Sequence, residues 1–437
     1  LSISLSLSIS SYNLHRKFYS IVNGGKGKMS GKFDKNFVER ALRSGYKDET
    51  IEVIDYVVED CCAKGANFLS DMYRTVVKLK RHSNGGNRNE DGHSYEVVSI
   101  VVKCEPSKDA TALEIHKRQN LFETELRMYN EVIKEIEIIT GERMGPKLLY
   151  ASRDPKIIVM EDLKVRGYKT MNRQNGLPLL HNLLVIYKMA ALHAGSVALC
   201  EKVILFFPPS PFPSSPSSPS SPSSPFLKLS EVSIINACSE MRGWSYEYKE
   251  YADKLERYGC MFRNAVETAD VYRYEVDEFC VINHGDCWIN NIMFKDEESS
   301  GEPGEVLLVD YQMSVYTSPA IDLHYFLNCC PDIKLKYEKQ DYFLMVYVRT
   351  LGNIMGRIGC ATKPPTLNDL KRSMYKRRLY AIFSGIVLYP RMVSDEIEDF
   401  DEALGRLGGN TMINVFKKEE AVVSLRKFVK YMKCYFD

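Results

Sequence analysis

The sequence predicts an α+β protein of two lobes, on three observations. The chain has 437 residues, 45% of them hydrophobic, enough for a large core that is more economically split than held in one unit. Its first third reads as strands rich in valine, isoleucine and tyrosine. The stretch from about residue 320 onward reads mainly as helix, and strands segregated from helices are the mark of the α+β class.

The strands come first. "IEVIDYVVED" (51–60), "MYRTVVKLKR" (72–81) and "YEVVSIVVKC" (95–104) are separated by clusters of Gly, Asn and Asp. A helical pattern follows, with Ile115, Phe122, Leu126, Tyr129, Ile133 and Ile136 at helical spacings. "KIIVMEDL" (156–163) fits a buried strand, and "LPLLHNLLVIYKMAALHAGSVAL" (177–199) a strong helix. "NIMF" and "VLLVDY" bracket an acidic loop and predict a β-hairpin. The domain organisation expected is a leader over 1–34, a first lobe over 35–163 and a second over 164–437.

Two segments stand apart. "LSISLSLSIS" at the start alternates like a strand but lacks the basic region of a signal peptide. The first methionine is Met29, and folded-looking sequence begins just after it, so the leader is expected to be disordered or not native. Residues 205–227 contain only Leu, Phe, Pro and Ser, the four residue types whose codons can consist of pyrimidines alone. A translated intron end or microsatellite explains that composition, and a disordered loop between two helices is its expected form.

Composition excludes several classes. A net charge of +1 gives no nucleic-acid footprint. Twelve cysteines without a C-x-x-C spacing, and eight scattered histidines, form neither a zinc set nor a disulfide framework. Free thiols and a cytoplasmic location are expected. No uninterrupted apolar run reaches the length of about 18 residues that a membrane span needs.

Five pieces then fall in an order that carries chemistry. Gly65-x-Asn67-x-x-Ser70 lies between two strands, where a loop could cover ATP phosphates. Lys103 ends a strand, where an ammonium could hold the α- and β-phosphates. Glu125 sits on the apolar stripe of its helix, between Phe122 and Tyr129. A carboxylate there needs a partner, and Lys103 is the natural one. "HGDCWINN" places His284 two residues before Asp286 and Asn291 five after it, the spacing of a kinase-type catalytic loop. Asp286 would accept or orient the substrate hydroxyl's proton, and Asn291 would offer Mg²⁺ a neutral oxygen. For His284, a hydrogen bond that braces the loop is one role among several. Asp310, in "LLVDYQ", stands where a kinase's metal-chelating aspartate follows its hairpin.

"GANFLSDMYR", "VVKCEP", "FETELRMY", "IIVMEDL", "MAALHAGSVAL", "NHGDCWINNIMF", "LLVDYQ" and "SPAIDLHYFL" together resemble the ecdysteroid kinase-like family. The resemblance runs from about residue 35 to near the C-terminus. It implies a bilobal protein-kinase-like fold of the choline kinase and aminoglycoside phosphotransferase type, with ATP and Mg²⁺ as cofactors. It also implies Asp286 as catalytic base, Asn291 and Asp310 as metal ligands, and Lys103 with Glu125 at the phosphates. Glu161 and Leu163 would offer backbone groups to adenine, and Asp322 would brace the catalytic loop. Leu69 departs from the smaller residue that the family often has in its phosphate loop.

Two features separate a small-molecule kinase from a protein kinase. Gly285 stands where regulated protein kinases carry an arginine that pairs with an activation-loop phosphate. Asp322 follows Asp310 by only twelve positions, too few for a peptide-docking activation segment. The function expected is ATP-dependent phosphorylation of a hydroxyl on a lipophilic, ecdysteroid-like molecule. A choline-like or phenolic acceptor is the alternative, and a non-catalytic nucleotide-binding protein the second. Trp244, Tyr246, Tyr248, Tyr251, Phe343 and Tyr347 are candidate walls of the acceptor cavity.

Overall fold

The computed structural model describes residues 33–61, 70–81, 95–107, 113, 116–117, 119–206, 225–267, 272, 277–394, 416 and 419–433. Gly65, Asn67 and Leu69, the leader up to residue 32 and the 207–224 part of the proline-rich tract lie outside them. The chain divides into two compact units, one running to His116 and including Pro146–Lys169, the other formed by Lys117–Gly145 and Thr170 onward. The sequence-based boundary at 163 and this division differ chiefly in segment 117–145. That segment groups with the second unit, where Tyr129 packs edge-on against Tyr311 at 5.6 Å.

Among its described residues the first unit holds a five-stranded antiparallel sheet and the helix Lys35–Tyr46. Helix α1 (Lys35–Tyr46) starts where Asp34 accepts the Phe37 N–H at 2.7 Å, and buries Phe37, Val38, Ala41 and Leu42. These four positions form one helical stripe, and they join a core that includes Val53, Val77, Ile100 and Val159. Strands β1 (Glu52–Asp60), β2 (Asp71–Lys80), β3 (Tyr95–Cys104), β4 (Leu148–Arg153) and β5 (Lys156–Glu161) are ordered β1-β2-β3-β5-β4. β3 is therefore central. Its Lys103 lies opposite Met72 on one side and Ile158 on the other.

The second unit is mainly helical. It opens with α2 (Leu121–Arg127), a π-helical turn at Met128–Val132, and α3 (Ile133–Thr140). Its centre is α4 (Leu179–Phe206), which packs on α3 and on α8 (Gln340–Ile358). By length and composition alone Leu179–Lys202 could cross a membrane, but 78% of its most apolar window is buried inside the protein. His181, Asn182 and Lys188 interrupt its apolar sequence. Burial identifies a core helix: Asn182, Lys188 and His193 are all buried, and Asn182 and Lys188 are hydrogen-bonded to protein carbonyls.

Helices α5 (Pro225–Arg242) and α6 (Tyr246–Glu267) pack on each other. Leu205 and Phe206 end α4 and 225–227 begin α5, so both ends of the expected loop are helical. Next come β6 (Val281–Asn283), β7 (Ile292–Asp296), β8 (Pro303–Leu308) and β9 (Val315–Thr317), in two small antiparallel pairs, β6 with β9 and β7 with β8. Helices α7 (Ala320–Cys329), α8 and α9 (Leu367–Lys376) follow. The thiols of Cys200, Cys238, Cys287, Cys329, Cys330 and Cys360 are free.

Candidate active site

The predicted catalytic loop is the segment between β6 and β7, and α7 holds it. The Asp322 carboxylate, fully buried in the first turn of α7, accepts the His284 N–H at 2.7 Å and the Gly285 N–H at 2.8 Å, one on each oxygen. The His193 Nε2–H of α4 reaches the same group at 3.1 Å, and its Nδ1 meets the Tyr347 hydroxyl at 2.8 Å. Burial by itself would raise the Asp322 pKa. The hydrogen bond and charge of His193, with the Gly285 N–H, outweigh it and hold the carboxyl below its usual range.

His284 braces the other side of the loop. Its Nε2 lies 3.0 Å from the Val309 carbonyl, which can only accept, so Nε2 carries the proton. Nδ1 then accepts the Asp286 N–H at 3.3 Å. Both nitrogens are thus used by the neutral ring, and burial pushes its pKa down.

Gly285 has φ +82°, and a Cβ there would lie 2.0 Å from the Met313 carbonyl oxygen. No side chain fits while the loop keeps this course. The glycine that stands in place of a protein kinase's arginine is therefore required by the backbone itself.

The loop presents Asp286, and a side chain donates to each of its two oxygens. Asn291 Nδ2 donates to Oδ2 at 2.9 Å, and also to the Asp286 carbonyl at 3.0 Å. The Tyr325 hydroxyl donates to Oδ1 at 2.5 Å. With its amide nitrogen engaged twice, Asn291 has its side-chain oxygen as the group to offer a cation.

The hairpin leads on to Asp310, the other residue expected from sequence to bind metal. The Val309 N–H donates to the Asn291 carbonyl at 3.0 Å, continuing the β7–β8 ladder past the Ile292–Leu308 pair. Asp310, the next residue, takes up a left-handed conformation at φ +69°. Such backbone in a non-glycine residue costs about 1–2 kcal/mol and persists only where its surroundings impose it. Here Tyr311 imposes it: fully buried, it stacks obliquely on His284 at 4.6 Å and donates to the Met144 carbonyl at 3.0 Å.

Among the described residues no group of three or more His, Cys, Asp or Glu side chains gathers to hold a metal. A kinase-type magnesium site does not require one, because substrate phosphates and water complete its oxygen set. An amide oxygen just before β7 and a carboxylate just after β8 fit that donor chemistry.

The residues expected from sequence to meet the nucleotide are divided between the two units. Lys103 is 3% exposed on β3 in the first unit, and Glu125 is 1% exposed on α2 in the second. Ser70 is buried just before β2. Glu161 donates its N–H to the Lys147 carbonyl at 3.0 Å, and its Oε1 accepts the Lys147 N–H at 2.6 Å. Between Glu161 and Leu163, the buried Asp162 takes Arg74 Nε at 2.5 Å, Ser99 Oγ at 2.8 Å and the Lys164 N–H at 3.1 Å. Asp162 thereby caps the 3₁₀ turn Leu163–Arg166. The Leu163 carbonyl accepts the Tyr168 N–H at 3.1 Å, which leaves its own N–H as the backbone group with which it could meet a ligand.

The aromatic residues named from sequence have varied surroundings. Tyr347 supports His193, Phe343 is core, and Tyr246 is 84% exposed. Trp244 and Tyr248 stack edge-on at 4.9 Å, with Arg426 over the Trp244 ring. The rings that lead away from Asp286 are Tyr325, then Tyr380 at 6.4 Å, with Tyr272 and Phe383 beside Tyr380 at 5.8 and 6.0 Å. Tyr325 and His193 were not singled out from the sequence, although both lie inside quoted motifs. A histidine or tyrosine on an otherwise apolar helix face needs a polar partner, and that was the available signal.

An aspartate and an asparagine on a braced loop, returned to by a hairpin that carries a second aspartate, define the kinase-like class of small-molecule phosphotransferases. The chain belongs to the ecdysteroid kinase-like family, whose model matches residues 64–360. No curated protein is significantly similar in sequence. Among solved structures, an ethanolamine kinase of Plasmodium vivax is similar over 96% of this chain and 94% of its own, at 11% identity and a TM-score of 0.36. An ADP-bound aminoglycoside phosphotransferase matches 80% of this chain and 99% of its own, at 14% identity and a TM-score of 0.30. A streptomycin–ATP complex of another such enzyme matches 80% and 89%, at 12% identity and a TM-score of 0.34.

Proposed function

We propose that this protein transfers the γ-phosphoryl group of ATP to a hydroxyl of a lipophilic small molecule, with an ecdysteroid as the leading acceptor class. The observation that carries the reading is the Asp286 carboxylate, fixed on both oxygens by donors and set on a loop whose backbone is anchored by Asp322. A carboxylate so held is preorganised to receive and orient an acceptor hydroxyl for in-line attack. Asn291 and Asp310 would hold Mg²⁺, which when bound neutralises charge on the phosphates. Lys103 would hold the α- and β-phosphates, with Glu125 fixing its position. The Glu161 carbonyl and Leu163 N–H would meet adenine, and Gly65, Asn67 and Ser70 would close over the phosphates.

The neutral aromatic run from Tyr325 through Tyr380 supports an apolar, ring-bearing acceptor. A cytoplasmic enzyme is consistent with the free thiols. The test is a screen of purified protein with Mg-ATP against ecdysteroids, plant phenols and choline, read by mass spectrometry as the gain of one phosphate. Phosphorylated ecdysteroid is the expected product. Phosphocholine or a phosphorylated phenol alone would replace the acceptor. No product and no acceptor-free hydrolysis of ATP would turn the reading to a non-catalytic nucleotide binder.

A further inference from the structure

Helix α7 grips the catalytic loop twice, one turn apart. Asp322 holds the backbone at residues 284 and 285, and Tyr325, three residues on, reaches the side chain of Asp286. Residues three apart lie on one face of a helix, so a single rigid element sets both the course of the loop and the plane of its carboxylate. The grip is tight: the Tyr325 hydroxyl lies 2.5 Å from Oδ1, the short end of the range for a hydroxyl on a carboxylate. Tyr325 is 6% exposed and its ring is backed by Tyr380, so the hydroxyl has little freedom to leave. Asn291 holds the other oxygen at 2.9 Å.

We infer that Tyr325 is a positioning residue for phosphoryl transfer, clamping Asp286 opposite Asn291 so that the carboxylate keeps one orientation toward the acceptor hydroxyl. The inference rests on the proposed function in one respect, that Asp286 is the group which meets the acceptor. A carboxylate offers about four lone-pair sites. Two donors can therefore fix its plane and still leave sites for an incoming hydroxyl. Without the Tyr325 donor the carboxylate would lose the restraint on Oδ1 and keep the Asn291 bond on Oδ2. Positioning that depends on one hydrogen bond to a charged group is worth roughly a factor of ten or more in rate.

The test is a double-mutant cycle of wild type, Tyr325→Phe, Asp286→Asn and the double variant. Each is assayed for transfer from Mg-ATP to 20-hydroxyecdysone and for acceptor-free phosphate release. Mg-ATP affinity and thermal unfolding are measured alongside. Tyr325→Phe should lose about tenfold in kcat in whichever assay the wild type turns over, with Mg-ATP affinity unchanged. Asp286→Asn should lose about 10²- to 10⁴-fold. In the Asp286→Asn background, removing the Tyr325 hydroxyl should change the rate by less than about twofold, because a group that acts through Asp286 has nothing left to act on. Losses that multiply would overturn the inference, as would an unchanged kcat in Tyr325→Phe alone. Loss of Mg-ATP binding or of folding in that variant would make the hydroxyl structural and would also overturn it. A wild type inert in both assays would instead bring down the proposed function, and this inference with it.

Discussion

His193 and Asp322 meet at 3.1 Å with neither side chain exposed to solvent, one from the long central helix and one from the helix behind the catalytic loop. Asp322 receives three donors in all, two of them backbone N–H groups of the loop. Removing its charge leaves those donors buried and unmatched. Asp322→Ala is expected to destabilise the helical unit by roughly 3–5 kcal/mol, the usual cost of breaking a buried charged network on one side. His193→Ala removes one donor of three and should cost less, about 1–3 kcal/mol. Denaturant unfolding of both variants checks the order; equal stability in Asp322→Ala and wild type would refute the bracing role.

Gly285→Ala tests the second restraint on the same loop. The new Cβ would meet the Met313 carbonyl oxygen at 2.0 Å, in a conformation at φ +82° that is strained for any L side chain. Gly141, at φ +70° with nothing within 4 Å of its Cβ position, supplies the control. Gly141→Ala should lose only about 1 kcal/mol, the left-handed penalty alone. Gly285→Ala should lose at least about 2 kcal/mol more and abolish transfer, because the loop must move to admit the methyl group. Paired thermal melts and activity assays read both effects. Similar losses in the two variants would show that the contact with Met313 is not limiting.

The site was legible in the sequence where its geometry is local. Asp286 and Asn291 lie five residues apart, and Asp310 follows through a hairpin whose two strands announce themselves by valine, leucine and isoleucine content. The partners of these residues were less legible, because they are set by tertiary packing. Tyr325 is 39 residues from Asp286, and His193 is 129 from Asp322. Strands β6 and β9 have three residues each, too few to show a period of two. Gly285 was read by what it replaces in protein kinases, whereas its cause is the Met313 carbonyl, which no local spacing reveals. The aromatic residues around 244–251 illustrate the converse. Composition offered them as candidate cavity walls, and in the fold Trp244, Tyr248 and Tyr251 form a chain of ring contacts.

Acid should destabilise the helical unit well above the range where carboxylates titrate. His324 is buried on α7, donating from Nε2 to the Met374 carbonyl at 2.9 Å, while its buried Nδ1 has no hydrogen-bond partner. Protonation would place an unmatched N–H there, near the Arg377 cation. Burial first, with the Arg377 charge adding to it against the Met374 bond, pushes the pKa down to about 4. An unfolded histidine titrates near 6.5. The folded pKa is the lower one, so the stabilisation is complete above about pH 6.5 and is lost as pH falls from there toward 4. Its slope is up to about 1.4 kcal/mol per pH unit within that window. Denaturant unfolding from pH 7 to 4.5 should show a shallower decline for His324→Gln than for wild type. Parallel curves would mean that His324 contributes no proton linkage.

In the sheet unit, Arg74 and Asp162 form the corresponding buried pair, at 13% and 2% side-chain exposure. Burial alone would raise the Asp162 pKa, but the Arg74 hydrogen bonds and charge, then Ser99 and the Lys164 N–H, hold it below the usual range. Arg74→Met keeps the aliphatic stem and removes the cation, leaving an aspartate buried without its counter-charge. The expected loss is roughly 3–5 kcal/mol. Because Asp162 lies between Glu161 and Leu163 and caps the turn that Leu163 opens, Arg74→Met should also weaken Mg-ATP binding. Arg74→Met combined with Asp162→Leu removes both charges and should recover much of the stability, since a buried pair is often replaceable by apolar packing. It should not recover nucleotide affinity, because Asp162→Leu removes the cap on the Lys164 N–H. Calorimetric melts and nucleotide titrations on the single and double variants separate the two effects. Full recovery of affinity in the double variant would show that the cap does not position Leu163.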